Sequence, residues 1–187
     1  TSEFGKIFVE VIESMKYIFQ TKNDVLMVTS SGTGAMESAV VNLLSQGDEV
    51  IVASSGNFGD RWEKICQAYN IKVNKISVEW GKAVDPKDIE NVLSTNKNIK
   101  VVFTTHTETS TGVVNNIEAI GKIVANTQAI LVVDTISGLA GQKFLTDEWK
   151  VDVAVTGSQK GLMYPPGLAF VTVSEKAWKL VESSSLP

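Results

Sequence analysis

The chain has 187 residues, of which 43% are hydrophobic and 20% are charged, so it is long and apolar enough to bury a core as one domain. Its formal net charge of −4 argues against a partner that is a nucleic acid or an anionic membrane surface. A single cysteine, Cys66, and a single histidine, His106, exclude an internal disulfide and predict no metal site. The cysteine count and the lack of an apolar run of membrane-spanning length favour a reducing, cytoplasmic setting.

The first half of the chain alternates short β-branched runs with helical segments. The apolar spacing between residues 8 and 19 predicts an N-terminal amphipathic helix. Asp85 followed by Pro86 predicts the start of a further helix, with aspartate as N-cap and proline in the first turn. The other predicted elements are a buried strand at 25–29, a helix at 35–45, strands at 49–53 and 71–78, and a helix through Trp62 and Tyr69 between those strands.

The second half continues this alternation. The predicted elements are strands at 101–103, 130–133, 151–155 and 168–173, with a helix at 117–125. Apolar strands separated by helices predict an α/β fold whose mostly parallel sheet is covered by helices on both faces. Residues 156–167 contain glycines and prolines but no helical crossover, so we expect the last strand to run antiparallel to its neighbour.

Polar residues follow several of the predicted strands, where ligands bind in open α/β sheets. Ser31, Gly32 and Thr33 lie between a strand and a helix, so backbone N–H groups and hydroxyls there suit a phosphate. A plain strand-to-helix turn rich in small residues is the alternative. The segment matches neither GxGxxG nor GxxxxGK[ST], which argues against a dinucleotide or a P-loop nucleotide.

Two charged residues complete the candidate site. Asp134 ends the most apolar strand, where a buried carboxylate needs a cation or a strong donor, although it could instead cap the following helical segment. Lys160 lies in a tight loop with few charges and is either an amine nucleophile or a solvated surface lysine. A phosphate cradle, a buried aspartate and a lysine together are what pyridoxal 5'-phosphate requires.

The same segments resemble the class V aminotransferases of the pyridoxal-phosphate-dependent superfamily, especially the alanine–glyoxylate and serine–pyruvate aminotransferases. The resemblance extends in one register from about residue 14 to residue 174. The matching motifs are Ser31-Gly32-Thr33 followed by Ala35-Met36-Glu37-Ser38-Ala39, Gly56-Asn57-Phe58-Gly59-Asp60-Arg61, Thr105-His106-Thr107-Glu108-Thr109-Ser110-Thr111-Gly112, Val133-Asp134, Gly157-Ser158-Gln159-Lys160 and Pro165-Pro166-Gly167. It implies the large domain of a fold type I pyridoxal-phosphate-dependent transferase.

The resemblance also implies roles for individual residues. Lys160 and Asp134 are the catalytic pair: the lysine forms the Schiff base with the cofactor, and the aspartate pairs with the ring nitrogen. The remaining cofactor-binding positions are Ser31, Gly32, Thr33 and Gln159 for the phosphate, Thr109 for the phenolic oxygen, and Phe58 and Ile136 for the two ring faces. Phe58 stands where the closest relatives often have tryptophan, and Thr33 stands where some have histidine.

The implied reaction moves an amino group from a small amino acid, alanine or serine, to a small 2-oxo acid, glyoxylate or pyruvate. The resemblance implies a homodimer, with the N-terminal helix around Phe8, Ile12 and Phe19 as part of the contact. It further implies that residues 1–187 are the large domain of a longer enzyme, whose smaller C-terminal domain carries the arginine that binds the substrate carboxylate. Arg61, the single arginine, aligns with a structural position instead.

Two other functions remain open. Cysteine desulfurases and selenocysteine lyases share the superfamily, but they typically have histidines where this chain has Phe58 and Gln159, and they need a mobile nucleophilic cysteine. Cys66 lies in a predicted helix and is expected in the core. A non-catalytic interaction domain that kept the fold is the second alternative. His106 is predicted to be structural.

Overall fold

A computed structural model describes residues 1–186 and contains nine strands and six helices within that range. The helices are α1 Ser2–Phe19, α2 Gly32–Leu43, α3 Asn57–Ala68, α4 Pro86–Thr95, α5 Ile117–Val124 and α6 Glu175–Val181. The strands are β1 Asp24–Val28, β2 Glu49–Ser54, β3 Lys72–Ser77, β4 Ile99–Thr105, β5 Thr107–Glu108, β6 Val113–Val114, β7 Ile130–Asp134, β8 Val153–Gly157 and β9 Ala169–Val173. None of the helices in this range has both the length and the apolar character that a membrane crossing requires.

Seven of the strands form one sheet in the order β1-β9-β8-β7-β4-β2-β3. Strands β8, β7, β4, β2 and β3 are parallel, whereas β9 pairs antiparallel with both β8 and β1. The predicted α/β class and the antiparallel last strand are therefore confirmed. Because β1 and β8 both run against β9, they run in the same direction, and their carboxyl ends lie at the same edge of the sheet.

Helices cover both faces of the sheet. Within β7, Ile130 and Val132 pack into the core on the side of α2, α3 and α6, while Leu131 and Val133 pack into the core on the side of α1, α4 and α5. This alternation is the two-residue period of a strand that is buried on both faces. The largest fully buried side chain, Trp62, stacks on Phe103 at a ring-centroid distance of 4.6 Å and fixes α3 against the sheet.

Some predicted boundaries and burial classes are wrong. The strand predicted at 25–29 is an edge strand in which only Val25 is buried, because β1 is paired on one side alone. The strand predicted at 71–78 is β3, Lys72–Ser77, at the opposite edge of the sheet, and none of those six residues is buried. Helix α2 begins at Gly32, three residues before its predicted start, since the small residues of the turn already form its first turn. Helix α1 begins at Ser2.

Side chains cap four of the six helices within the described residues: Thr1 caps α1, and the cap of α4 is the one that the sequence predicts. The Asp85 carboxylate accepts a hydrogen bond from the backbone N–H of Lys87 and confirms the predicted start of α4. Asn116 caps α5 and Ser174 caps α6 in the same way. Helices α2 and α3 follow strands that end at the polar edge of the sheet, and neither helix has a side-chain hydrogen bond from its N-cap residue.

Candidate active site

The polar ends of four parallel strands form the floor of the site. Ser54 ends β2, Thr105 ends β4, Asp134 ends β7 and Gly157 ends β8, and Thr105 is in register with Asp134. The chain passes from β2 to β3 on one side and then returns to β4 on the other side. Such a reversal opens a crevice at the carboxyl ends of the strands, which is where ligands bind in this type of sheet.

The N-terminus of α2 is open at this edge. Ser31 occupies the N-cap position with extended backbone, and its side chain caps none of the N–H groups within residues 1–186. Gly32 is buried, and a Cβ at that position would lie 2.8 Å from Cγ1 of Ile136. A Cβ on Gly157 would lie 2.9 Å from the Gln159 amide oxygen and 3.4 Å from the Gly32 nitrogen. The Gln159 amide therefore sits beside the free end of α2.

Asp134 is almost fully buried at the end of β7. Its Oδ1 atom accepts a hydrogen bond of 2.8 Å from the backbone N–H of Ile136, whereas Oδ2 accepts none from any residue that the structure describes. Burial raises the pKa of this carboxyl from 3.8 to about 7; the Ile136 hydrogen bond opposes the rise, the charge of Glu108 adds to it, and Arg61 and Lys160 oppose it. One carboxylate oxygen of Asp134 thus accepts the local cap bond, while the other has no hydrogen-bond partner among the described residues.

Lys160 is exposed in the loop that follows β8. Ser158 anchors the loop, because its hydroxyl donates to the Pro165 carbonyl at 2.6 Å and its backbone N–H donates to the Leu168 carbonyl at 2.9 Å. On the other side of the lysine, Gly161 packs so tightly against the Leu139 carbonyl that a Cβ would clash with it. The loop is thereby held against the segment that follows Asp134.

Thr109 lies beyond the short β5 strand and is exposed. Its hydroxyl is 2.5 Å from the hydroxyl of Ser137, which follows Asp134 and Ile136 along the chain. This contact joins the loop after β4 to the loop after β7. Either hydroxyl can be the donor, so both keep a lone pair or a proton for a ligand.

Phe58 lies in the first turn of α3, and that turn is capped by a side chain from a distant segment. The carboxylate of Glu108 is fully buried and accepts hydrogen bonds from the backbone N–H groups of Phe58 and Gly59, and from Ser110. A negative charge at a helix N-terminus is stabilised by the helix dipole. The sequence predicts no role for Glu108 beyond its place in a motif. Its position just after the end of a strand is the signal that could have found it, as the position of Asp134 at a strand end did.

Arg61 lies one turn further along α3 and reaches back to the site. Its guanidinium donates a hydrogen bond of 2.7 Å to the Thr33 hydroxyl, and its Cζ atom lies 4.7 Å from the centre of the Phe58 ring. It therefore connects a predicted phosphate-binding residue with the predicted stacking residue. The sequence indicates only a structural position for Arg61, because its sequence neighbours do not reveal a contact with a residue 28 positions away.

Two residues singled out by their rarity lie in the core. Cys66 is fully buried in α3, and burial raises the pKa of its thiol to about 12. His106 is buried beside Phe144 and Trp149, and desolvation lowers its pKa to about 4. A thiol of this kind is neither exposed nor ionised at neutral pH, as a nucleophile has to be. Both residues have the structural environment that the sequence predicts.

The residues present fit pyridoxal phosphate at this edge. Open N–H groups, hydroxyls and the Gln159 amide suit the phosphate, while the unpaired Oδ2 of Asp134 suits the protonated ring nitrogen. Lys160 supplies an amine at the same edge. The predicted site residues therefore lie at the same edge of the sheet, and their individual contacts with the cofactor are predictions.

Comparisons with known proteins agree with this class of fold. A family model described as Aminotransferase class-V matches residues 1–185. A relative from Paracoccus denitrificans, L-aspartate–glyoxylate aminotransferase, is 41% identical over 98% of this chain and 48% of its own length. The alanine–glyoxylate aminotransferase structure from Nostoc sp. superposes with a TM-score of 0.93 at 31% identity, over 97% of this chain and 48% of that one. A protein from Synechococcus sp. described as the small subunit of a soluble hydrogenase is 46% identical over 100% of this chain and 50% of its own length.

The fold is that of the pyridoxal-phosphate-dependent enzymes of fold type I. Within that class, the chain belongs to the class V aminotransferase family. It spans about half the length of the curated relatives that it matches.

Proposed function

We propose that residues 1–187 form the large, pyridoxal-phosphate-binding domain of a transaminase that moves an amino group from a small amino acid to a small 2-oxo acid. The observation that carries this proposal is the juxtaposition at one sheet edge of a buried aspartate with a free oxygen, an open helix N-terminus and a loop lysine. The two aminotransferase relatives described above share glyoxylate in their names and differ in the amino donor. That pattern supports glyoxylate as the acceptor, and the donor that we propose, alanine or serine, is the one that the motif resemblance implies.

Each residue has a defined task in the proposed reaction. When bound, pyridoxal phosphate supplies a conjugated ring that takes up the electron pair released as the substrate Cα–H bond breaks. Asp134 Oδ2 would accept a hydrogen bond from a protonated ring nitrogen and hold that proton in place by its charge. Phe58 and Ile136 would cover the ring and exclude water. The hydroxyl pair of Thr109 and Ser137 would donate to the phenolic oxygen.

Lys160 has two successive tasks. Its amine would first attach the cofactor by replacing the aldehyde oxygen, which leaves as water. Once the substrate amine has displaced it, the freed Nζ atom would accept the proton from the substrate Cα as a general base and would donate it to the cofactor carbon rather than back to Cα, so that the amino group can be transferred. Its exposed position in a loop that Ser158 and Gly161 hold in place is compatible with both tasks.

The substrate carboxylate needs a partner of its own. An arginine binds a carboxylate best, because two parallel hydrogen bonds match its planar fork. The single arginine of this chain already donates to Thr33 at the phosphate side. We therefore propose that the carboxylate-binding group, and with it full transamination, comes from a smaller domain or a partner subunit of a homodimer.

The experiment that tests the cofactor site is reductive trapping. The purified chain is incubated with pyridoxal phosphate, reduced with borohydride and digested, and the pyridoxyl mass is located by peptide mapping. We expect the label on Lys160 and its loss in Lys160→Ala, while Lys87→Ala, in the first turn of α4, keeps it. A label that persists in Lys160→Ala on another lysine at the same stoichiometry would falsify the assignment.

Two other functions lack support from the site. A cysteine desulfurase needs an accessible thiolate, and Cys66 is fully buried with a raised thiol pKa. The hydrogenase description is that of the Synechococcus relative, and the residues of this site give it no support. Soft metal ions of redox sites are held by thiolates, for which this chain offers only the same buried cysteine.

A further inference from the structure

Arg61 joins the two halves of the proposed cofactor site. It projects from α3, yet its guanidinium donates to Thr33 in the first turn of α2 at 2.7 Å. The same guanidinium lies over the ring of Phe58, 4.7 Å from its centre. One side chain therefore contacts both the phosphate cradle and the side chain predicted to cover the cofactor ring.

Arg61 forms no ion pair with an acid within residues 1–186, although its charge reaches Asp134 and acts to lower the pKa of that carboxyl. Its acidic neighbours on α3, Asp60 and Glu63, pair with Lys75 at 2.9 and 2.6 Å. Within residues 1–186, no carboxylate lies within ion-pair distance of the Arg61 guanidinium. Thr33 accepts one of its N–H groups, and a guanidinium carries five donors.

The helix end beside this charge is also positive. The N-terminus of α2, where Thr33 lies, carries the positive end of a helix dipole, and its first N–H groups have no side-chain cap from Ser31. A cation beside an uncapped helix N-terminus favours an anion with several acceptor oxygens, and the phosphate of the proposed cofactor is such an anion.

We propose that Arg61 is a binding residue for the cofactor phosphate, and that the same side chain holds Phe58 in place for stacking. This inference rests on the proposed function, since it concerns the same cofactor. Thr33 orients the guanidinium from one side and the Phe58 ring supports its plane from the other, so Arg61 is ordered before a ligand arrives. Lysine has the charge but neither the planar fork nor the flat stacking surface.

The test compares two ligands that differ only in the phosphate group. Dissociation constants for pyridoxal phosphate and for pyridoxal are measured by quenching of tryptophan fluorescence with wild type, Arg61→Gln and Arg61→Lys. For Arg61→Gln we expect the constant for pyridoxal phosphate to rise roughly 10- to 100-fold, the loss typical of a charge-assisted hydrogen bond in a partly buried site. The constant for pyridoxal should change far less, by about twofold, because that ligand keeps the ring on which Phe58 stacks and lacks the group that the arginine binds.

Matched variants separate this role from general effects. Lys64→Gln removes one positive charge from an exposed position of the same helix and should leave both constants unchanged. Arg61→Lys should recover part of the lost affinity for pyridoxal phosphate. Far-ultraviolet circular dichroism and the thermal midpoint verify that each variant is folded.

The outcomes distinguish this inference from the proposed function. If Arg61→Gln binds pyridoxal phosphate as wild type does, or loses affinity for both ligands equally, the phosphate contact is overturned while the cofactor site stands. If wild type takes up no pyridoxal phosphate, the proposed function is overturned. In that case Arg61 is tested with inorganic phosphate alone. Phosphate should stabilise wild type against thermal unfolding and should not stabilise Arg61→Gln. Equal stabilisation of the two proteins, or stabilisation of neither, overturns the inference.

Discussion

The carboxylate of Glu108 holds the backbone of Phe58, although 50 residues separate them in sequence. The Phe58 N–H nitrogen lies 3.1 Å from Glu108 Oε2, and the Gly59 nitrogen lies 2.9 Å from the same oxygen. Glu108 follows β4 and Phe58 follows β2. The contact therefore bridges the two neighbouring parallel strands between which the order of strands along the sheet reverses. It fixes the start of α3, and with it the position of the aromatic ring that we propose to cover the cofactor.

Removing this carboxylate should destabilise the protein. In Glu108→Ala, the buried N–H groups of Phe58 and Gly59 lose their acceptor, and we expect the free energy of unfolding to fall by about 2 kcal/mol or more. Glu108→Gln keeps one acceptor oxygen and should lose less. Urea unfolding followed by tryptophan fluorescence measures both, with Glu90→Ala on the exposed face of α4 as control. Equal stability of Glu108→Ala and the control would mean that these hydrogen bonds contribute nothing.

Asp134 should make the empty protein less stable at alkaline pH. Its pKa is about 7 in the folded protein, against 3.8 for an ordinary exposed aspartate, so the buried charge opposes folding above pH 7. As pH falls from 7 towards 3.8, the folded state takes up the proton first and regains about 1.4 kcal/mol for each pH unit. Asp134→Asn lacks this charge and keeps an oxygen for Ile136.

The expected result is that cofactor-free Asp134→Asn is more stable than wild type at pH 8, by a margin that shrinks at pH 5. Pyridoxal phosphate should bind the variant more weakly, because the ring nitrogen loses its ionic partner. Chemical unfolding at the two pH values gives the difference, and Glu10→Gln on exposed α1 is the control. A margin that does not change with pH would show that the Asp134 carboxyl is not desolvated when the site is empty.

His106 should act in the opposite direction. Its pKa is lowered to about 4 by burial, from 6.5 for an exposed histidine, so the unfolded chain binds the proton first as pH falls. Between pH 6.5 and 4 this costs about 1.4 kcal/mol of stability for each pH unit, and above pH 6.5 it costs nothing. We expect His106→Leu to unfold with a weaker loss of stability between pH 7 and pH 4.5 than wild type. Parallel pH profiles for the two proteins would contradict a buried, neutral histidine.

The sequence predicts most elements of the fold and the aspartate and lysine of the site, for a physical reason. Periodic apolar residues determine strands and helices locally, and a charged residue directly after a buried strand, such as Asp134, must lie at the sheet edge. Edge and interior strands are harder to distinguish, because the burial of a strand depends on its neighbours. The apolar run after Asp24 predicts a buried strand, yet β1 lies at the edge of the sheet and has a neighbouring strand on one side only.

Glu108 and Arg61 show which part of a site the sequence conceals. Both act through partners on other elements: Glu108 through the backbone of α3, and Arg61 through Thr33 on α2. Neither contact has a local pattern, since it arises only when the sheet brings the loops together. The resemblance supplies the residues of the cofactor site, whereas the tertiary contacts supply the reasons why those residues are held there.

The arginine count leads to a prediction about turnover. Transamination requires that the substrate carboxylate be held while the Cα–H bond breaks, and misplacement of the reacting atoms by about 1 Å can cost roughly a hundredfold in rate. The only arginine in these 187 residues already donates to Thr33. We therefore expect the purified chain to attach pyridoxal phosphate at Lys160 but to transaminate alanine and glyoxylate far more slowly than a full-length class V relative assayed beside it. Pyruvate formation in a coupled assay gives the rate, and the borohydride adduct shows how much of the chain carries cofactor.

Turnover equal to that of the relative would contradict the expectation. In that event, loss of turnover in Arg61→Lys with a raised KM for alanine would move Arg61 from the phosphate to the substrate carboxylate.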